Sequence, residues 1–309
     1  MDVHRLRMLR ELADHGTVAA VAEVLSMTPS AVSQQLKTLQ REAGVTLLEP
    51  AGRRVRLTDA GRVLVGHADQ VLAALERAQA DLDSYRSTPR GQVRVSFFPS
   101  GAAMLLAPLI GDARAQGVEV LGRDIDLPAA DAPQQLADFD IVVVHRDDRD
   151  TSSWGPRFSS TVLLREPLDV LLWPTHPLAT RPRVELSELA GQDWVGVAGG
   201  LMVDDAFKSM AIMTGSAPRI IQRVNDFRVA EELVAARIGI ALLPRYVMLA
   251  RDLVRVPIGD VRLARRIEAV TRAGAESRPA IALVLAQLSA IARGSLLRRV
   301  SRCWPDHPG

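Results

Sequence analysis

The chain has 309 residues, 48% of them hydrophobic and 24% charged, the balance of an ordinary folded protein of about two or three domains. Its 38 basic and 36 acidic residues leave a net charge of +2, which excludes a histone-like coat and requires any nucleic-acid contact to come from a local patch. Aromatics at 4% exclude a base-stacking platform as the main device, and a single cysteine, Cys303, excludes an internal disulfide framework and a Cys-based zinc site.

The first residues, MDVHRLRMLRELADHG, are amphipathic and lack the apolar core of a signal peptide. Leu6, Leu9, Leu12 and Ala13 recur at helical spacing, and Gly16 ends that segment. Thr17 stands where an N-cap belongs ahead of Val18–Leu25. After a turn at Ser26-Met27, Thr28 is the next N-cap, and Pro29 takes the first helical position, where its missing N–H costs nothing. The third helix runs to Ala43 and stops at Gly44.

That third helix has two unlike faces. Val32, Leu36 and Leu39 face inward, while Ser30, Ser33, Gln34 and Lys37 project from the other side. A polar stripe on a lone helix is a solvated face; on the second helix of a helix-turn-helix it is a surface for base edges in the major groove. The helix starts at Thr17 and at Thr28-Pro29 offer free N–H groups to phosphate. Val45–Leu48 and Arg53–Leu57 flank Glu49-Pro50-Ala51-Gly52, the pattern of a hairpin wing. Arg53, Arg54 and Arg56 suit phosphate contacts, which give salt-dependent affinity without sequence choice.

The stretch from Gly16 to Gly61, with its small-residue second helix, TPSAVSQQLKTLQ and RRVRLTDAG, resembles the DNA-binding domain of LysR-type transcriptional regulators. Leu48 departs from the family's usual Phe, a change of packing. Pro50 departs from its usual Arg, which removes one wing contact.

Thr58 caps a long helix continuing to about Tyr85, in which Leu64, Ala68, Val71, Leu75, Ala78 and Leu82 alternate in steps of four and three. That is the 3.5-residue period of a two-helix seam; a helix packed on its own domain gives a similar pattern. The resemblance implies pairing through this helix, as a dimer or tetramer, with two recognition helices on an inverted repeat of double-stranded DNA. Ser87–Gly91 breaks the helix and marks a hinge.

From Gln92, strands and helices alternate. The predicted strands are Val93–Phe98, Val118–Asp124, Asp140–Val144, Leu168–Trp173, Trp194–Val197, Ile238–Leu243 and Ile267–Thr271. The intervening helices are Ala102–Ala115, Ala132–Leu136, Leu186–Ala190, one after Val203 and Val229–Arg237, and Pro279–Ala292 closes the series. Such alternation predicts a doubly wound α/β fold. GQVRVSFFPSGAAMLLAPLI, FDIVVVHR and LVAARIGIALLPRYV resemble landmarks of the LysR effector-binding domain. This implies a two-lobed fold like that of periplasmic binding proteins. The expected organisation is a winged helix-turn-helix at 1–58, a linker helix at 59–88 and an effector-binding domain at 89–300. Lobe I would take 91–161 and 267–300, and lobe II 162–266.

Ligands of open α/β sheets sit beyond the carboxyl ends of the strands. Ser100 and Gly101 open a helix after the first strand, where a hydroxyl and free N–H groups hold a carboxylate or simply cap the helix. Pro128, His145, Leu201, Met202, Asn225 and Phe227 fall at or near other strand ends. The apolar members give the expected small-molecule effector an apolar part.

No enzyme signature is present: no G-x-S-x-G, P-loop, G-x-G-x-x-G after a strand or H-E-x-x-H. Six scattered histidines show no metal-ligand spacing. The expectation is a cytoplasmic DNA-binding regulator without catalytic residues, cofactor, metal or membrane partner. The alternative for its C-terminal part is an oligomerisation scaffold without effector.

Overall fold

The computed structural model describes residues 1–51, 54–84, 90–126, 128–197, 202–247 and 251–303. Its N-terminal head rests on caps that are local in sequence. Side-chain oxygens of Asp2, Thr17 and Thr28 accept backbone N–H groups to open α1 (Val3–His15), α2 (Val18–Val24) and α3 (Pro29–Ala43). Gly16 and Gly44 close α1 and α3 at φ 72° and 69°, a left-handed conformation that glycine adopts without strain. Leu9, Val21, Val32 and Leu39 are buried in one apolar core between the helices.

The wing is an antiparallel pair, β1 (Leu48–Ala51) and β2 (Arg54–Leu57). It begins later than the expected Val45–Leu48. The Gln40 Oε1 accepts from the N–H groups of Leu47 and Leu48 at 3.0 and 3.3 Å, and Thr58 donates its hydroxyl to the Thr46 carbonyl at 2.7 Å. These bonds keep Val45–Leu47 out of the ladder. Pro50 lies inside β1 rather than in the turn, as an edge strand allows.

The Thr58 hydroxyl also accepts from Gly61 N–H at 3.1 Å, capping α4 (Asp59–Ser84). A Cβ on Gly61 would meet the Leu47 carbonyl oxygen at 2.2 Å, so glycine lets the helix pass against the wing strand. The single seam expected along α4 is corrected. Val65 and Ala68 are buried in the head's own core, whereas Val71 and Leu75 are 38% and 48% exposed. Ala68 therefore packs within the chain, and the outward face continues through Val71 and Leu75. Leu82 and the hinge at 87–89 lie outside the side chains and residues described.

The body follows as β3 (Gly91–Phe97), α5 (Pro99–Ala115), β4 (Val118–Asp124), α6 (Ala132–Gln135), β5 (Ile141–Asp147) and β6 (Phe158–Leu172). Then come β7 (Asp193–Gly196), α7 (Met202–Thr214), β8 (Arg219–Arg223), α8 (Phe227–Ala235), β9 (Ile240–Pro244), β10 (Val254–Pro257), β11 (Ala264–Arg272) and α9 (Pro279–Cys303). One set of strands is ordered β4-β3-β5-β11-β6 and a second β6-β9-β7-β8, with β10 also pairing β6. Each set has its own core. Val95, Phe97, Leu105 and Val284 lie in the first, and Val170, Trp194, Phe207 and Leu242 in the second.

Strand β6 belongs to both sets. Its first part pairs β11 as far as Pro167, and Leu168–Leu171 pairs β9. The change of lobe therefore comes at Leu168 rather than 162, and β11 re-enters the first lobe at Ala264 rather than 267. The early part of β6 was not expected to be strand. Arg165-Glu166-Pro167, charged and closed by a proline, precedes the expected strand at Leu168, yet Glu166 is buried and paired to Arg265 at 2.7 Å, as Asp169 within that strand is to Arg245 at 2.6 Å. β8 and β10 were also not expected; β8 is an exposed edge strand with no apolar run, and β10 has only four residues. Leu186–Leu189 is a short 3-10 turn where an α-helix was expected. Among the described residues no helix is long and apolar enough to cross a membrane.

Candidate DNA face and interlobe cleft

The head presents α3 beside its wing. Ser30, Gln34 and Lys37 are exposed and Ser33 is half-buried, on the face opposite the buried Val32, Leu36 and Leu39. The Thr28 hydroxyl accepts from Ala31 N–H at 3.2 Å and lies 3.1 Å from the Ser30 hydroxyl. Thr17 accepts from Ala20 N–H at 3.2 Å. Both threonines thus use an oxygen lone pair to cap; the Thr17 hydroxyl proton is still available, while that of Thr28 can be shared with Ser30. Pro29 is exposed at the start of α3. On the wing, Arg56 stands opposite Glu49 and donates to its carboxylate at 2.5 and 2.9 Å. That pairing, invisible at a spacing of seven residues, lowers the positive charge expected of the wing. Arg54 opens β2, and its side chain lies outside what is described, as does Arg53 entirely.

In the body, a cavity of about 640 Å³ opens between the two strand sets. Of the residues expected there, Ser100, His145, Asn225 and Phe227 line it together, though they come from four separate elements or joints. Gly101 instead packs beneath the Phe98 ring, where a Cβ would come within 2.7 Å of a ring carbon. Pro128 is exposed before a short 3-10 helix and is not part of the lining. Leu201 lies outside the described residues. Met202 opens α7, but its side chain is likewise outside them.

The floor is a buried ion pair on the two shared strands. Arg265 of β11 and Glu166 of β6 meet at 2.7 Å with side chains 1% and 0% exposed. The Glu166 carboxylate also accepts from Tyr246 N–H at 2.6 Å. Arg265 donates to the Ser100 hydroxyl at 3.1 Å and lies 5.0 Å from the Phe98 ring centroid. Ser100 is therefore engaged with a side chain rather than left as a free helix cap, and Phe98, the residue before α5, makes no side-chain cap.

His145 packs edge-on against Phe98, with centroids 4.4 Å apart and planes at 79°. Burial, reinforced by the Arg265 charge, pulls its pKa down to about 3, so the ring is neutral near pH 7. Its Nδ1 is buried without a hydrogen-bond partner. Arg228 lines the mouth and is paired to Asp226 at 3.0 Å. Asp124, the last residue of β4, and Asp126 just beyond it also line the cavity. Sequence inspection missed these acids and Arg265. The acids follow the strand-end rule already applied to the other joints, whereas Arg265 lies before the strand predicted at Ile267 and gives no local signal.

The arrangement can hold a small molecule. Among the described residues no group of three or more His, Cys, Asp or Glu is placed to hold a metal ion.

Comparisons with known proteins agree with both halves. Residues 3–62 match the model of the bacterial regulatory helix-turn-helix protein, lysR family, and residues 86–293 that of the LysR substrate binding domain. The chain is 28% identical over 290 residues to the transcriptional dual regulator GltC of Bacillus subtilis, covering 90% of this chain and 93% of that protein. It is also 28% identical over 250 residues to the nitrogen assimilation regulatory protein nac of Escherichia coli, covering 79% and 78% respectively. A full-length OxyR variant from Pseudomonas aeruginosa shares the fold at a TM-score of 0.69, with 17% identity and coverage of 95% and 97%. Full-length BenM does so at 0.56, with 20% identity and the same coverage.

Proposed function

Since the chain belongs to the LysR family of DNA-binding transcription regulators with an effector-binding domain, we propose that it binds an inverted-repeat operator as a homo-oligomer and is switched by a small molecule in its interlobe cleft. The observation that carries the DNA part is the exposed Ser30, Gln34 and Lys37 face of α3 in a head that also carries the β1–β2 wing. Gln34 and Ser33 would read bases, Lys37, Arg53 and Arg54 would hold phosphates, and the capping hydroxyls of Thr17 and Thr28 would donate to the backbone. Residues 1–58 act as the head, 59–88 as the pairing helix and 89–300 as the effector-binding domain. Pairing uses the exposed Val71 and Leu75 face of α4.

The protein works in the cytoplasm as a binding protein rather than an enzyme. Effector binding alters the angle between lobes and so the spacing of the heads; a ligand does this only if it binds the two arrangements unequally. Ser100, His145, Asn225 and Phe227 are its contacts.

The test is selection of duplex DNA from a random pool by the full-length protein. Enrichment of a two-fold-symmetric site is expected, with half-sites about one helical turn apart or a multiple of that. Recovery of DNA without sequence enrichment would overturn the reading. The cleft is tested separately by thermal shift, since a true ligand raises Tm with its concentration. A scaffold without effector predicts no shift with any compound, and a turnover assay on the compounds that do bind is expected to be blank.

A further inference from the structure

We infer that the interlobe cleft takes an organic cation, an ammonium or amidinium group carried on a compact apolar body. This rests on the reading of that cleft as the effector site.

The charge of the lining decides the class. Asp124, Asp126 and Asp226 face two guanidiniums, Arg228 and Arg265, and Glu231, also in the lining, already accepts from Arg251 N–H at 3.2 Å. Both guanidiniums are engaged, Arg228 by Asp226 at 3.0 Å and Arg265 by Glu166 at 2.7 Å. Asp124 and Asp126 have no ion-pair or hydrogen-bond partner among the described residues, and the partial burial of Asp126 pushes its carboxyl pKa up. Both side chains remain exposed at the cleft, and a carboxylate that lacks a cation gains from a ligand that brings one.

The neutral donors and acceptors agree. His145 Nδ1 is buried, unpartnered and part of this wall. The neutral ring brings no positive charge to the wall and so does not favour an acid. Ser100 already accepts from Arg265, and the Arg265 charge is met by Glu166 behind it, so the place expected to hold a carboxylate lacks a free positive charge. Phe98, Met104, Val197 and Phe227 supply the apolar wall, and the Phe227 ring suits a cation in addition, the Phe98 ring being taken by Arg265.

The experiment titrates the full-length protein by calorimetry with phenethylamine and cadaverine, and with hydrocinnamate and glutarate as matched acids. The amines are expected to bind and the acids not. The Asp124→Asn/Asp126→Asn double variant, with its unliganded Tm unchanged, is expected to bind the amines about tenfold more weakly. Binding of the acids in place of the amines would overturn the cationic class while leaving the effector cleft intact. Binding of neither class would overturn both. Amine binding that the double variant leaves unaltered would overturn the assignment to these carboxylates.

Discussion

Asp14, in the last turn of α1, accepts a hydrogen bond from Arg272 of β11 at 2.7 Å, across 258 positions of chain. Arg157 approaches the same carboxylate at 3.5 Å and also pairs with Asp69 on α4. The Asp14 side chain is only 5% exposed, so head, linker and first lobe share one partly dehydrated charge cluster. Replacing Asp14 by Asn leaves Arg272 without its carboxylate and Arg157 with Asp69 alone, and should destabilise the protein by about 1–3 kcal/mol in urea unfolding. Small-angle scattering should show an expanded particle, with the head's own core intact. Unchanged scattering would mean that this cluster does not hold the head.

Glu49 restrains the wing by holding Arg56. Glu49→Gln should free that guanidinium and raise affinity for random duplex DNA about two- to fivefold at low salt. The slope of log affinity against log salt should steepen by about one unit. An unaltered slope would show that Arg56 does not reach phosphate.

Gln34 and Arg54 should separate recognition from affinity. Gln34→Ala should cost about 1–3 kcal/mol on the selected site and little on random DNA. Arg54→Ala should weaken both alike and flatten the salt slope. Equal effects of the two variants on every sequence would reverse the assigned orientation of α3.

The Arg265–Glu166 pair is buried at the crossing of the lobes. Arg265→Met leaves a carboxylate with no counter-charge and should cost about 3–5 kcal/mol, while Glu166→Met added to it should restore part of the loss. Additive losses in urea titrations would contradict direct coupling.

His145 gives an acid limb to the stability curve. Its folded pKa is lowered from 6.5 to about 3, so between those values the unfolded chain takes up a proton that the folded chain refuses. The stabilisation is present above about pH 6.5 and is lost as pH falls towards 3, by up to ~1.4 kcal/mol per pH unit. His145→Asn should flatten this limb relative to the parent in paired urea titrations.

The head was largely legible because its punctuation is local. Thr17, Thr28 and Thr58 cap within three residues of their partners, and Gly16 and Gly44 end helices by their own backbone freedom. The middle of β6 was illegible for the opposite reason. Glu166 is buried because Arg265 meets it from 99 residues away. In the cleft, Ser100, His145, Asn225 and Phe227 could be read from strand ends. The sign of its charge could not, since that depends on which acids find arginines only after folding. The outward face of α4 was blurred similarly, because Ala68 fits a heptad and a domain core equally well.

The two strands that join the lobes also carry the cleft's floor. Anyone retuning this protein as a biosensor would find that changes at Arg265 or Glu166 alter the stiffness of the joint together with the shape of the site, confounding response with selectivity. The rim at Asp124, Asp126, Asn225 and Phe227 hangs from strand ends and loops instead. It is the part of the molecule where a library can vary the molecule sensed and leave the lever that reports it unaltered.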